Sequence, residues 1–254
     1  MQLRALPAFA DNYIWVLADE SGRALFVDPG EAAPVLAAIA DGLQPAGVLL
    51  THHHHDHIGG TSELLARWPD LPVIAPIDDR IPHASQRVGT GERVGVSGWS
   101  FEVLEIPGHT RSHIAFYGHG LVFCGDTLFS LGCGRLFEGT PSQMHTSLTR
   151  LGALPGTTQV CCGHEYTLAN AAFALAVDPH NADLQRRAAE AREQRERGQP
   201  TLPATLASER ACNPFLRADA PTVRAAIARR LGREPDDAVE TFAELRRWKD
   251  GFAA

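Results

Sequence analysis

Between Thr51 and Gly60 the chain reads Thr-His-His-His-His-Asp-His-Ile-Gly-Gly, five imidazoles and a carboxylate in six consecutive positions. Both donor types suit zinc and neighbouring transition metals. In an extended loop alternate side chains point the same way. His52 and His54 then share one side, while His53 and His55 face the other and read as non-ligands. Asp56 and His57 follow where Gly59-Gly60 permits a turn, giving the pattern H-x-H-x-D-H. Three later segments repeat a donor beside glycine after a β-rich run: Pro107-Gly-His109-Thr, Cys124-Gly-Asp126-Thr and Cys162-Gly-His164-Glu. Any one of these histidines alone would read better as a surface or core residue. Together they make seven donors, enough for two metals if Asp126 bridges. One metal would take His52, His54 and His109, and the other Asp56, His57 and His164. Asp28, in Phe-Val-Asp-Pro-Gly, reads equally as a carboxylate that orients a ligand histidine and as a turn aspartate. His83, His113, His119, His145 and His180 have no motif context.

Two such metals lower the pKa of a bridging water from about 15.7 towards neutrality. The expected reaction is attack of the resulting hydroxide on a carbonyl, with Asp126 as bridge and anchor of the nucleophile and Asp56 as its catalytic companion. No Gly-x-Ser-x-Gly elbow calls for a serine nucleophile. A thioester suits the site, because a thiol of pKa about 8.5 departs as thiolate without a dedicated acid.

The elements that must position these donors are short strands with brief helices between them. Tyr13–Leu17 and Arg23–Val27 form a hairpin about Asp19-Glu-Ser-Gly, and Gly47–Leu50 is a buried strand running into the histidines. Val73-Ile74, Glu92–Val96, Phe101–Ile106, Ile114–Tyr117, Leu121–Cys124 and Thr158–Cys162 are further strands. Ala32–Ala40 and Ser62–Trp68 read as helices, and Thr140-Pro-Ser-Gln143 opens another with a capping box. Strand signals stop near residue 165. Beyond it lie helices at Tyr166–Val177, Asn181–Arg197, Pro221–Leu231 and Pro235–Asp250, with Arg186–Arg197 reading as a solvated charged face. The expected division is therefore 1–165 and 166–254.

The 254 residues suffice for a large core, and a net charge of -7 argues against nucleic acid as a partner. No apolar run approaches the roughly 18 residues of a membrane span, and the N-terminus lacks an apolar signal core. The five cysteines include no CxxC, and Cys161 adjoins Cys162, which suits a reducing, cytoplasmic location.

These motifs resemble the glyoxalase II family, the hydroxyacylglutathione hydrolases of the metallo-β-lactamase superfamily. Asp11-Asn-Tyr-Ile-Trp, the histidine run, Pro107-Gly-His109-Thr, Gly125-Asp126-Thr-Leu-Phe, Gly132-Cys-Gly-Arg135-Leu-Phe-Glu-Gly-Thr and Gly163-His164-Glu-Tyr166-Thr stand in that family's order. Asn213-Pro-Phe-Leu-Arg217 and Arg246-Arg-Trp-Lys249-Asp resemble its C-terminal segment. The resemblance implies an α/β fold, the αββα sandwich, with a smaller C-terminal α-helical domain that binds substrate. It implies two divalent ions, zinc first with iron or manganese tolerated, and hydrolysis of S-D-lactoylglutathione to glutathione and D-lactate by a monomer. Substrate contacts carried over are Arg135, Phe137, Tyr166, Arg246 and Lys249. Arg135 and Phe137 stand where some members have Lys and Tyr, so a charge is kept and a hydroxyl lost. Rival readings are a glutathione-dependent persulfide dioxygenase with one iron, another hydrolase on the same scaffold, and a non-catalytic metal-binding protein.

Overall fold

The computed structural model describes residues 1–252. They fall into two compact units, each interrupted in sequence: residues 1–105, 112–125 and 161–164 form the first, and 106–111, 126–160 and 165 onward the second.

The first unit carries two sheets. One runs β1 (Gln2–Ala8), β2 (Asn12–Ala18), β3 (Arg23–Val27), β4 (Gln44–Leu49), β5 (Val73–Pro76) and β6 (Gln86–Val88), in that spatial order. β1 to β3 are antiparallel and β3 to β6 parallel. The parallel crossovers are α1 (Ala33–Ala40), then α2 (His55–Ile58) and α3 (Thr61–Arg67). The other sheet is the antiparallel meander β7 (Arg93–Val96), β8 (Trp99–Glu105), β9 (Ile114–Gly118) and β10 (Leu121–Gly125), continued by the end of β13 (Gln159–Cys162).

Alternation along the strands shows how the layers form. Ile14, Val16, Ala24, Phe26, Val48 and Val73 share one cluster with Val35 of α1 and Leu64 of α3. Their neighbours Trp15, Leu17, Leu25, Leu49 and Ile74 point the opposite way and are equally buried. A strand apolar on both faces must be covered on both. Helices cover one face here, and the second sheet the other, with Trp15 Nε1 donating to Cys162 O at 2.9 Å. This is the expected αββα sandwich.

In the second unit β11 (Leu128–Phe129) and β12 (Gly132–Cys133) form a small hairpin, followed by α4 (Pro141–Gly152). Thr140 caps α4 reciprocally with Gln143, as its sequence predicts. The start of β13 pairs with β14 (Ala204–Thr205). The remainder is α5 (Thr167–Val177), α6 (Ala182–Glu196), α7 (Leu206–Cys212), α8 (Pro221–Leu231) and α9 (Ala238–Asp250), packed about Phe173, Phe215 and Phe242. β14 corrects the expectation that strands end near 165: it is two residues long, below any sequence period. Arg187 corrects the solvated reading of its charge run, because it is buried and donates to Thr201 O at 2.8 Å. Among the described residues no helix is long and apolar enough to cross a membrane.

One buried carboxylate ties the loop after β11 to the helices. Glu209 of α7 accepts from Ser130 Oγ and Leu131 N, both at 2.8 Å, and from Asn213 Nδ2 at 3.1 Å. Asn213 also donates to Phe129 O and Gly132 O, and Asn170 to Ser130 O. Burial pushes the Glu209 carboxyl up, opposed by these hydrogen bonds. A raised folded-state value means that its ionisation is penalised as pH rises above the ordinary glutamate range. Glu209→Gln removes that penalty and still accepts at one oxygen, so stability at pH 7 should stay within about 1 kcal/mol of wild type. Glu209→Leu strips three buried donors of their acceptor and should cost about 3 kcal/mol by urea unfolding.

Candidate metal centre

The histidine run begins one residue after the buried pair Leu50-Thr51 at the end of β4, so its position is set by the sheet. Of the run, His54 has the extended backbone expected, at φ -61° and ψ 142°, whereas the chain bends at Thr51-His52. From His55 the chain turns into the single helical turn α2, which carries Asp56 and His57.

Asp28 closes β3 in the left-handed region at φ +53° and is buried. Its Oδ1 accepts Thr51 N at 2.8 Å, and its Oδ2 accepts Thr51 Oγ1 at 2.7 Å and faces His57 Nδ1 at 3.0 Å. A carboxylate can only accept from that imidazole, so His57 carries its proton on Nδ1 and its lone pair on Nε2. The Thr51 hydroxyl has one hydrogen and gives it to Asp28. It therefore accepts from His52 Nδ1 at 3.0 Å, which fixes the same tautomer there. His164 is anchored alike by Asp11 Oδ1, 2.8 Å from its Nδ1. Of the two readings open for Asp28, the structure shows the orienting one.

The resulting geometry suits a metal. His57 Nε2 and His164 Nε2 lie 3.6 and 3.4 Å from Asp56 Oδ2. That is long for hydrogen bonds, but bonds of about 2.0–2.1 Å at a tetrahedral angle separate two ligands by about 3.3 Å. Asn12 Nδ2 donates to Asp56 Oδ2 at 3.1 Å and to Asp56 O at 3.3 Å, holding the carboxylate in place. Ring nitrogens of His52 and His54 lie within 4.8 Å of each other, and Asp28, His52 and His57 form a further close donor group. Gly30 is required beside this loop, since a Cβ there would meet Asp56 O at 1.9 Å.

Of the remaining histidines in this unit, His53 lies 3.5 Å from Asp78 Oδ2. Burial pushes the Asp78 carboxyl up, but hydrogen bonds from Arg80 and Ser112 outweigh it and hold the group well below the usual carboxylate range. His55 is exposed. His113, without motif context in the sequence, is buried and stacks on His52 at 4.5 Å.

In the second unit lie Asp126, the first residue after β10, and His109, in the loop between β8 and β9. His109 Nδ1 donates to Arg135 O at 2.9 Å, so its lone pair is again on Nε2, 3.4 Å from Asp126 Oδ2. The Arg135 carbonyl is brought there by a close chain crossing. A Cβ on Gly134 would meet Asp126 O at 1.9 Å, and Gly134 N donates to Thr127 O at 3.1 Å.

The residues expected to meet substrate also lie in this unit. The Arg135 side chain is exposed, and the Phe137 ring is 62% exposed with one edge against His109. Tyr166 rests edge-on over Phe129. Arg246 is buried, giving its hydrogens to Cys133 O at 2.8 Å and Asp250 Oδ1 at 2.9 Å. Lys249 Nζ donates to Ala169 O at 2.9 Å above the Phe173 ring. Burial first, and the Arg246 charge next, lower the Lys249 pKa to about 8. Cys133 is no nucleophile at neutral pH, because burial pushes its thiol up to about 11 against the pull of Arg246.

Comparison with known proteins places these residues in a family. A model described as the metallo-beta-lactamase superfamily matches residues 9–164, and one described as the hydroxyacylglutathione hydrolase C-terminus matches residues 165–252. The chain is 62% identical over 253 residues to a hydroxyacylglutathione hydrolase of Xanthomonas euvesicatoria pv. vesicatoria (strain 85-10), covering 99% of each. It is 61% identical over 255 residues to one of Xanthomonas axonopodis pv. citri (strain 306), covering 100% of each. Among solved structures, ETHE1 from Myxococcus xanthus superposes with a TM-score of 0.58 at 29% identity, over 84% of this chain and 99% of that one.

Asp11 and Asn12 stand in a motif that the sequence singles out without giving them roles. Asp11→Ala frees the His164 ring to rotate. Zinc affinity, measured by competition with a chromogenic chelator, should weaken by about 10- to 100-fold, while the melting temperature of the metal-free protein changes little.

Proposed function

This chain belongs to the hydroxyacylglutathione hydrolases, metal-dependent thioester hydrolases of the metallo-beta-lactamase superfamily, and we propose that it cleaves S-D-lactoylglutathione to glutathione and D-lactate in the disposal of methylglyoxal. The His/Asp clusters are typical of a two-metal site in this fold. The observation that carries the reading is the set of donor separations of 3.4–3.6 Å between Nε2 atoms and carboxylate oxygens, each ring locked from behind through Nδ1.

We assign His52, His54 and His109 to one ion and Asp56, His57 and His164 to the other, with Asp126 between them and zinc as the resident metal. The match of one family model to residues 9–164 supports treating these donors as parts of one site. When bound, such a pair of ions lowers the pKa of a water to near neutrality and polarises a carbonyl oxygen. The protein's own part is to present donors that need no reorientation and to hold the thioester in register. Departure of glutathione as thiolate asks for no proton donor, and no buried acid is assigned to it.

Glutathione brings two carboxylates. Arg135, Lys249 and the Tyr166 hydroxyl are the polar groups proposed to receive it, with Phe137 as an apolar wall. Arg246, with its hydrogens committed to Cys133 and Asp250, acts by holding the Gly132–Arg135 loop. The two family models meet between residues 164 and 165, which supports 1–165 as the catalytic domain and 166–254 as a substrate-binding one. Cys124, Cys133, Cys161, Cys162 and Cys212 are all buried, and we propose a cytoplasmic setting, which the absence of a CxxC pair in the sequence suits.

Purified protein should release thiol from S-D-lactoylglutathione and stop doing so after treatment with a chelator; no release from a zinc-loaded, folded sample would refute the substrate assignment. Asp126→Asn should nearly abolish turnover and lower metal content, as full activity in that variant would contradict the ligand scheme. Lys249 is charged below about pH 8 and neutral above it, so its pull on a carboxylate fades as pH rises through that value. Lys249→Ala should therefore raise KM about tenfold at pH 7, the equivalent of ~1.4 kcal/mol, with kcat little changed and with the rise in wild-type KM above pH 8 abolished.

A further inference from the structure

The turn between β1 and β2 contains an anomaly that catalysis as described does not use. Ala8 pairs with Asn12, leaving the three-residue loop Phe9-Ala10-Asp11. Phe9 adopts φ +50°. A positive φ is uncommon for any residue but glycine, and a bulky side chain there is strained. Here the strained position carries a large aromatic side chain that is 52% exposed. Its amide is fixed by Glu31 Oε1 at 2.7 Å. The ring edge lies on Gly30, where a Cβ would meet Phe9 Cε2 at 2.8 Å and Asp56 O at 1.9 Å. Phe9 thus packs on Gly30, on which the backbone of a proposed metal ligand, Asp56, also closes. It lies two residues before Asp11, which anchors another.

We propose that Phe9 is a wall of the acyl pocket and sets which 2-hydroxyacyl groups are accepted; this rests on the thioester reading above. Among the described residues of the first unit the exposed large apolar side chains are Met1, Phe9 and Ile77, and of these Phe9 alone has a positive φ. Strain retained at an exposed aromatic beside metal ligands serves binding better than folding.

The test compares kcat/KM for S-D-lactoylglutathione and S-D-mandeloylglutathione in wild type, Phe9→Gly and Phe9→Tyr. Removing the ring should raise the mandeloyl-to-lactoyl ratio by about tenfold or more, the scale on which a pocket discriminates by size. Tyr should keep the wild-type ratio. Because Gly suits φ +50°, the melting temperature of Phe9→Gly should hold or rise. An active wild type with an unchanged ratio in Phe9→Gly would overturn the inference alone, the more so if that variant melts earlier, since the ring would then be structural. Wild type that cleaves neither thioester would overturn the reading beneath it as well.

Discussion

The chemistry of this protein depends on hydrogen bonds that touch no substrate. His52, His57, His109 and His164 each give their Nδ1 proton to a group with no hydrogen free to return: the Thr51 hydroxyl committed to Asp28, the Asp28 carboxylate, the Arg135 carbonyl and the Asp11 carboxylate. A neutral imidazole has two tautomers and a freely turning ring, and a metal can use only a lone pair aimed at it. Anchoring Nδ1 settles tautomer and direction together, before any ion arrives. Asp28 is the hub, receiving three hydrogens while buried in a conformation that side chains rarely adopt. Its negative charge also lies close to the positive charge that the donors would hold.

The same economy runs through the second unit. Glu209, Asn213 and Asn170 capture the backbone of Phe129–Gly132, and Arg246 captures Cys133 O. The segment they fix ends at Arg135, whose carbonyl anchors His109 while its side chain stands exposed. The proposed metal ligand His109 and the proposed substrate-facing cation Arg135 are therefore positioned by one stretch of chain that the helical region holds. Leu131 stays at φ +58° within it because its amide is satisfied by a buried carboxylate.

Much of this was legible in the sequence, and the exceptions have physical causes. The strands that feed the site announce themselves through apolar runs, and α4 through Thr140-Pro-Ser-Gln143. β11, β12 and β14 span two residues each, too few for any periodicity, and β1, a half-buried edge strand, lacks a clean apolar run. The helical turn at His55–Ile58 is hidden because a run of identical residues carries no period. Donor types and spacing suggested the proposed ligands, but Asp11, the anchor of His164, comes from a distant segment that only the fold brings to the ring. Arg187 reads as a surface cation, since sequence cannot show a carbonyl waiting in the interior.

The most direct test is a crystal structure of the zinc-loaded protein with anomalous scattering at the zinc edge. The account predicts two zinc ions per chain, bound through Nε2 of His52, His57, His109 and His164 at about 2.0–2.1 Å, with Asp126 shared between them and the four Nδ1 contacts retained. A single ion, ligation through Nδ1, or zinc held elsewhere would contradict it.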